Sequence, residues 1–441
     1  MRRKPQKQGV SLGTVTMLAL TGFVVVGCFW LFPKLFGDVE DFQFDASQLA
    51  VSIDVVQSAM TSLQGESPPM LSASAMPSAS LAPLSTAAPP VSATKPTHIS
   101  FSFSATGTIG INTAVQNAMT NDDGYHFSTL FEDLRGAMSA DLAIATLKNT
   151  VNPAEKPGNI NLPAAALSAI RELGVRALCL GHPDILNSGI QGLVSTQEAA
   201  HNADMLPYGV YASQAERDRM TVLDANGVSI GLLNYQNDLS ATGKRNTTKE
   251  EQAFTVVSPT LPTIASDIQT VRAAGAQVVI VSLCWGRANA TSPTRTQLDL
   301  AQSIADAGAD IILGTHSGAV QPVSILTATR ADGTQSTTLC AYSLGNLFTH
   351  ERERRTSISG ILLHATVTYE LSTSSVQFTN LSYTPTYVWR GREDGKTLYR
   401  VLPSNSALPA YMQEDQLNIM KRCFALIETA MKDSTFSLRA P

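Results

Sequence analysis

Gly308-Ala309-Asp310-Ile311-Ile312-Leu313-Gly314-Thr315-His316 reads as a buried strand that runs out into a turn carrying a histidine. Its β-branched centre is short, and a helical pattern over Thr294 to Ala307 precedes it. Working outward, Val278 to Trp285 follows another helical pattern, Leu261 to Ala274, and Leu339 to Leu344 is a third run of the same kind. Upstream stand Ile99 to Ile111, Leu142 to Leu147, Arg176 to Leu180 and Ser229 to Tyr235, with helical patterns over Ala164 to Leu173 and Gln191 to Ala203. Strands alternating with helices predict an α/β layered fold. The later succession ending at Ile361 to Tyr369 predicts some antiparallel sheet, an α+β element. Leu417, Met420, Phe424, Ile427 and Met431 follow the helical spacing, so 406–441 is expected to form an amphipathic helix packed on the domain. Its polar face is mixed in sign rather than basic, which argues against a membrane role.

The chain has 441 residues, 44% of them hydrophobic, enough for a large core. Thirty-one basic against 36 acidic residues give a net charge of -5, and this excludes the basic profile of a nucleic-acid binder. Five cysteines without CxxC spacing exclude a disulfide scaffold or zinc ribbon. Cys179, Cys284 and Cys340 fall late in predicted core strands and are expected as free buried thiols, with pairing left open.

Residues 1–9 carry Arg2, Arg3, Lys4 and Lys7 with no acid, and 10–36 is almost wholly apolar. A helix needs roughly 20 apolar residues to cross a bilayer, so a single membrane span is expected. Basic residues before it and Asp38, Glu40 and Asp41 after it place the amino end inside and the rest outside the cell. A cleaved signal peptide is one alternative and lipoprotein processing at Val25-Val26-Gly27-Cys28, which resembles a lipobox, is another; apolar sequence continuing through Phe29, Trp30, Leu31 and Phe32 favours an uncleaved anchor. Residues 37–97, rich in Ser, Ala and Pro, read as an extracytoplasmic tether, and 98–405 as the folded domain.

Ligands of open α/β sheets gather beyond the carboxyl ends of strands. Here those ends read Gly107-Thr108, Lys148-Asn149, Gly181-His182-Pro183-Asp184, Cys284-Trp285-Gly286-Arg287, Thr315-His316 and Tyr342-Ser343-Leu344-Gly345-Asn346, with Gln321 nearby.

In these segments the chain resembles the CapA family of poly-gamma-glutamate and capsule biosynthesis. The segment Gly308 to His316, Ala341 to Phe348, Val279 to Gly286 and Gly189 to Thr196 carry the resemblance, over about His98 to Val388. It implies a metallophosphatase-like α-β-β-α sandwich with a dinuclear metal site. It also implies metal-dependent hydrolysis or transfer wherever the ligands are kept. Several are not. Thr108 stands where that pattern has an aspartate, Lys148 where it has a glutamate, and His182-Pro183-Asp184 where it has Asn-Asn-His. Cys284 replaces one histidine and Gly318 another, while His316 and Asn346 remain. Two dications need several hard oxygen and imidazole ligands. Lys148 in place of a carboxylate moves local charge two units the wrong way, so the dinuclear centre is expected to be lost.

Two readings of the rim stay open. In the first there is no cofactor: Lys148 and Arg287 supply positive charge for an anionic cell-wall ligand, and Trp285 stacks on a sugar or peptide. In the second, His182, Asp184, Cys284 and His316 hold one zinc or manganese ion. Expected partners are the membrane, an anionic surface polymer or other capsule-synthesis proteins, with no nucleic acid. The expected location is the cell membrane.

Overall fold

The computed structural model describes residues 97–393, 395–404, 409, 411–432 and 434–439. The anchor expected over 10–36, with Cys28, and the tether expected before the first described residue lie outside this range. Among the described residues no helix is long and apolar enough to cross a membrane.

The strands, in chain order, are β1 (His98–Ile109), β2 (Leu142–Leu147), β3 (Ala177–Cys179), β4 (Leu206–Tyr208), β5 (Thr221–Ala225), β6 (Val228–Gln236) and β7 (Val278–Cys284). There follow β8 (Ile311–Thr315), β9 (Val323–Thr329), β10 (Gln335–Ala341), β11 (Asn346–Phe348), β12 (Ser359–Glu370), β13 (Ser375–Glu393), β14 (Lys396–Pro403) and β15 (Ser437–Leu438). The longer helices are α1 (Ala165–Glu172), α2 (Gly189–Asn202), α3 (Leu261–Ala273), α4 (Arg295–Ala307) and α5 (Glu414–Met431).

Two sheets result. One runs β14-β13-β12-β1-β2-β3-β4, with β11 paired to the end of β1 and β15 to β13; the other runs β9-β10-β8-β7-β6-β5. In each, a parallel block (β1 to β4; β6, β7, β8 and β10) is extended by antiparallel strands. This is the α/β fold with an α+β margin that the strand-helix alternation predicts.

Side-chain alternation explains why the central strands are apolar at every position. On β8, Ile311 and Leu313 enter the core between the sheets, while Ile312 points the other way. On β7, Ile280 faces inward with Phe101, Phe103, Leu142 and Ile144 of the first sheet, and Val279 and Val281 face outward. Helices cover both outer faces: α1 and α2 through Leu167, Ile170 and Leu193, and α3 and α4 through Ile264, Ile268 and Ile304. Strands buried on both faces are the signature of such layered parallel sheets. The layers are thus α-β-β-α.

Local chemistry sets the helix ends. In α4 the Thr294 side chain accepts from Gln297 N–H, and Gln297 returns a bond to Thr294 N–H. The helix closes at Gly308, whose φ of 119° suits a residue without Cβ. Helix α5 turns Met420, Cys423, Ile427 and Met431 inward, with Leu417 and Phe424 half-buried, so the tail packs on the domain.

Candidate functional site

Parallel pairing of β2 with β3 puts Thr146 beside Cys179, so the turns that follow the two strands leave on one side. There Lys148 Nζ stands 3.7 Å from Asp184 Oδ2, with the side chains 38% and 21% exposed. Asp184 is further held by the Asn187 amide, which donates to Oδ1 at 3.3 Å. His182 is mostly buried beside it, and the Asp184 backbone N–H donates to His182 Nδ1 at 3.2 Å. Burial, reinforced by the Lys148 and His316 charges, pushes the His182 pKa down to about 3. The ring is therefore neutral at physiological pH, and its 3.8 Å approach to Asp184 Oδ2 is no ion pair.

On the second sheet Cys284 pairs with Thr315 across β7 and β8. Burial, with Cys179 and Asp184 adding to it, raises the Cys284 thiol to about 12. His316 follows at φ 86°, a left-handed conformation that is costly for a residue with a Cβ. Its ring is exposed, and partial burial still lowers its pKa. Lys148, His182 and Asp184 are thus brought together, with His316 and Cys284 close enough to act on them electrostatically.

The other expected rim residues, Arg287 apart, are engaged by contacts within the fold. Trp285, expected to stack on a ligand, is buried: its indole N–H donates to the Tyr342 carbonyl at 2.9 Å and its ring stacks on Tyr342. Strand alternation turns it toward the outer helices rather than the rim. Gln321 is interior, its amide donating to the Ala290 and Ser292 carbonyls at 3.0 and 3.1 Å. Asn149 accepts from Ile111 N–H and donates to the Ile111, Asn159 and Ile160 carbonyls, tying two loops together. Asn346 donates to the Gly318 and Ser357 carbonyls at 3.3 and 2.9 Å. Thr108 is buried where β1 meets β11, its N–H bonded to the Gly345 carbonyl at 3.2 Å. Arg287 is exposed on the loop after β7.

Beside Lys148 and Asp184 lies a cavity of about 250 Å³, lined also by Gly110, Asn112, Asn159 and His350. None of these four stands out in the sequence. Asn112 and Asn159 look like ordinary loop residues, and His350 lies just past the last recognisable motif.

Among the described residues no three of His, Cys, Asp and Glu are grouped to hold an ion. A metal-bound imidazole normally donates its second ring N–H to an acceptor. In His182 that place is taken by a donor, the Asp184 N–H, which fixes Nδ1 as acceptor and leaves the proton on Nε2. An ammonium at the strand end adds repulsion for a cation. Cys179, Cys284, Cys340 and Cys423 are all free and buried.

Residues 102–351 match the family described as bacterial capsule synthesis protein PGA_cap. The chain belongs to that family. Among relatives of this PGA_cap member, the PGA biosynthesis protein CapA of Bacillus subtilis is 26% identical over 222 residues, covering 49% of this chain and 54% of that protein. The capsule biosynthesis protein CapA of Bacillus anthracis is 24% identical over 215 residues, covering 49% and 50%. The chain therefore spans about half the length of the curated relatives it matches. A solved structure of the calcineurin-like phosphoesterase YfkN from Bacillus subtilis aligns over 76% of this chain and 99% of its own, at 14% identity and a TM-score of 0.38.

Proposed function

We propose that this PGA_cap member is a membrane-anchored, extracytoplasmic protein of surface-polymer biosynthesis, in which an internal ion pair stands in for the dinuclear metal centre of metallophosphatase-like proteins. The single observation carrying this reading is the Lys148–Asp184 pair, 3.7 Å apart at the carboxyl ends of adjacent strands. An ammonium there neutralises the carboxylate that would otherwise attract a cation. The neutral, donor-facing His182 ring supports the same reading. The protein acts in this view through binding or scaffolding rather than through metal-activated water.

Metal analysis of the detergent-purified full chain tests it. Well under one equivalent of transition metal and no hydrolysis of phosphodiester model substrates are expected. Two metals per chain would overturn the reading, and one zinc lost on Cys284→Ser would replace it with a rebuilt mono-metal site. The anchor is tested separately: protease on intact cells should digest the part after Phe36. A soluble product beginning within Gly37 to Leu49, or a lipid-modified Cys28, would refute the anchor.

A further inference from the structure

The cavity beside Lys148 carries an inference about its ligand. Its charged lining consists of one cation, Lys148, and one anion, Asp184. At 3.7 Å their contact is longer than a hydrogen bond, which spans about 2.7–3.2 Å, so neither ion is saturated by the other. Among the described residues no acceptor lies within hydrogen-bond reach of Lys148 Nζ. Two side-chain amides add donors. Asn112 Oδ1 accepts from Val115 N–H, and Asn159 Oδ1 from Thr113 N–H and its hydroxyl; among the described residues neither NH₂ group has an acceptor. Gly110 makes room for the arrangement: a Cβ there would stand 3.2 Å from Lys148 Cδ, so the bare backbone lets the lysine stem lie against it.

Charge balance selects the ligand. A lone anion would gain from Lys148 what it loses to Asp184 nearby, and a lone cation the reverse. A ligand bearing both signs gains at both. We propose that this cavity binds the zwitterionic end of an amino acid, its carboxylate on Lys148 and the Asn112 and Asn159 amides, its ammonium on Asp184. Charge-assisted hydrogen bonds would then replace the long ion pair. The proposal rests on the reading that no metal pair occupies these strand ends.

The test is calorimetric titration of the full chain in detergent with alanine, and with acetate and methylammonium as single-charge controls. Saturable alanine binding is expected, with both controls weaker by at least about tenfold. Lys148→Met and Asp184→Asn should each weaken alanine binding by at least about tenfold. Gly110→Ala, which displaces the lysine stem without changing charge, should weaken it less. Thermal melts of each variant verify that the fold is kept. Acetate binding as well as alanine, alanine binding that survives both charge variants, or no saturable binding by the wild type would each overturn the proposal. Metal content of the same sample separates the two levels. A metal-free protein that fails to bind alanine refutes this inference alone, whereas two bound metals refute the underlying reading as well.

Discussion

Lys148 Nζ lies 3.7 Å from Asp184 Oδ2, across the ends of two neighbouring parallel strands. The pair joins the turn after β2 to the turn after β3, and the mostly buried His182 lies beside Asp184. The Lys148 charge is therefore answered from within the chain.

Reversing that charge is the direct probe. Lys148→Glu sets a carboxylate against Asp184, and the partly exposed position moderates the repulsion to about 1 kcal/mol. The melting temperature should fall by a few degrees at low salt and recover in part at high salt. An unchanged melt at both ionic strengths would show that Lys148 lies in solvent, away from Asp184.

Acid should destabilise the domain through buried histidines. His364 Nδ1 lies 2.9 Å from Ser104 Oγ, and its Nε2 is buried with no hydrogen-bond partner among the described residues. Burial, with the Arg439 charge adding to it, lowers its pKa from 6.5 to about 4. The unfolded chain thus binds the proton more readily. Stability is fully present above pH 6.5 and is lost as pH falls toward 4, by roughly 3 kcal/mol. His182, lowered to about 3, acts in the same direction. Urea midpoints measured from pH 7.5 to 4.5 should decline, and His364→Gln should flatten the decline by about one proton.

The thiols should be inert in the folded state. Burial raises Cys284 to about 12 and Cys423 to about 11, and it raises Cys179 and Cys340 as well. Thiolate is the reactive form, so iodoacetamide at pH 8 should label none of the four until denaturant is added. Rapid native labelling of Cys284 would mean that the rim is more open than the packing allows.

Gly107 is where the two halves of the motif region touch. A Cβ there would fall 1.9 Å from the Gly345 carbonyl oxygen, and backbone cannot step aside as a flexible side chain does. Gly107→Ala should cost more than about 4 kcal/mol, read as loss of soluble protein or a sharply lower melt. A normal melt would show that the β1–β11 junction can part without loss.

The parts of the fold that were legible in the sequence are those governed by local periodicity. Doubly buried strands such as β7 and β8 must be apolar throughout, and the helices between them show the spacing of three and four, so the α/β layering and the strand-end rim follow directly. Seven of the labelled strands escaped that reading, the short β11 and β15 among them. β9 lies at a sheet edge with half-buried positions, and β13 and β14 mix threonine, arginine and aromatic residues, with Pro385 inside β13. Short β4 and β5 were too brief to stand out. Marginal or half-solvated strands owe their form to their neighbours rather than to their own pattern.

The candidate site divides in the same way. Residue types at the strand ends identified Lys148, His182 and Asp184, because the chain direction in a parallel sheet sends those ends to one side. The family resemblance read from the sequence also implied that Lys148 stands in the place of a carboxylate. Tertiary structure alone decided that Trp285 turns outward onto Tyr342, that Asn149, Gln321 and Asn346 tie loops together, and that Asn112, Asn159 and His350 join the cavity. Those outcomes depend on which face a strand presents and on contacts between residues far apart in the chain. A one-dimensional pattern records residue types and spacing, but the direction of a side chain is set by the packing around it.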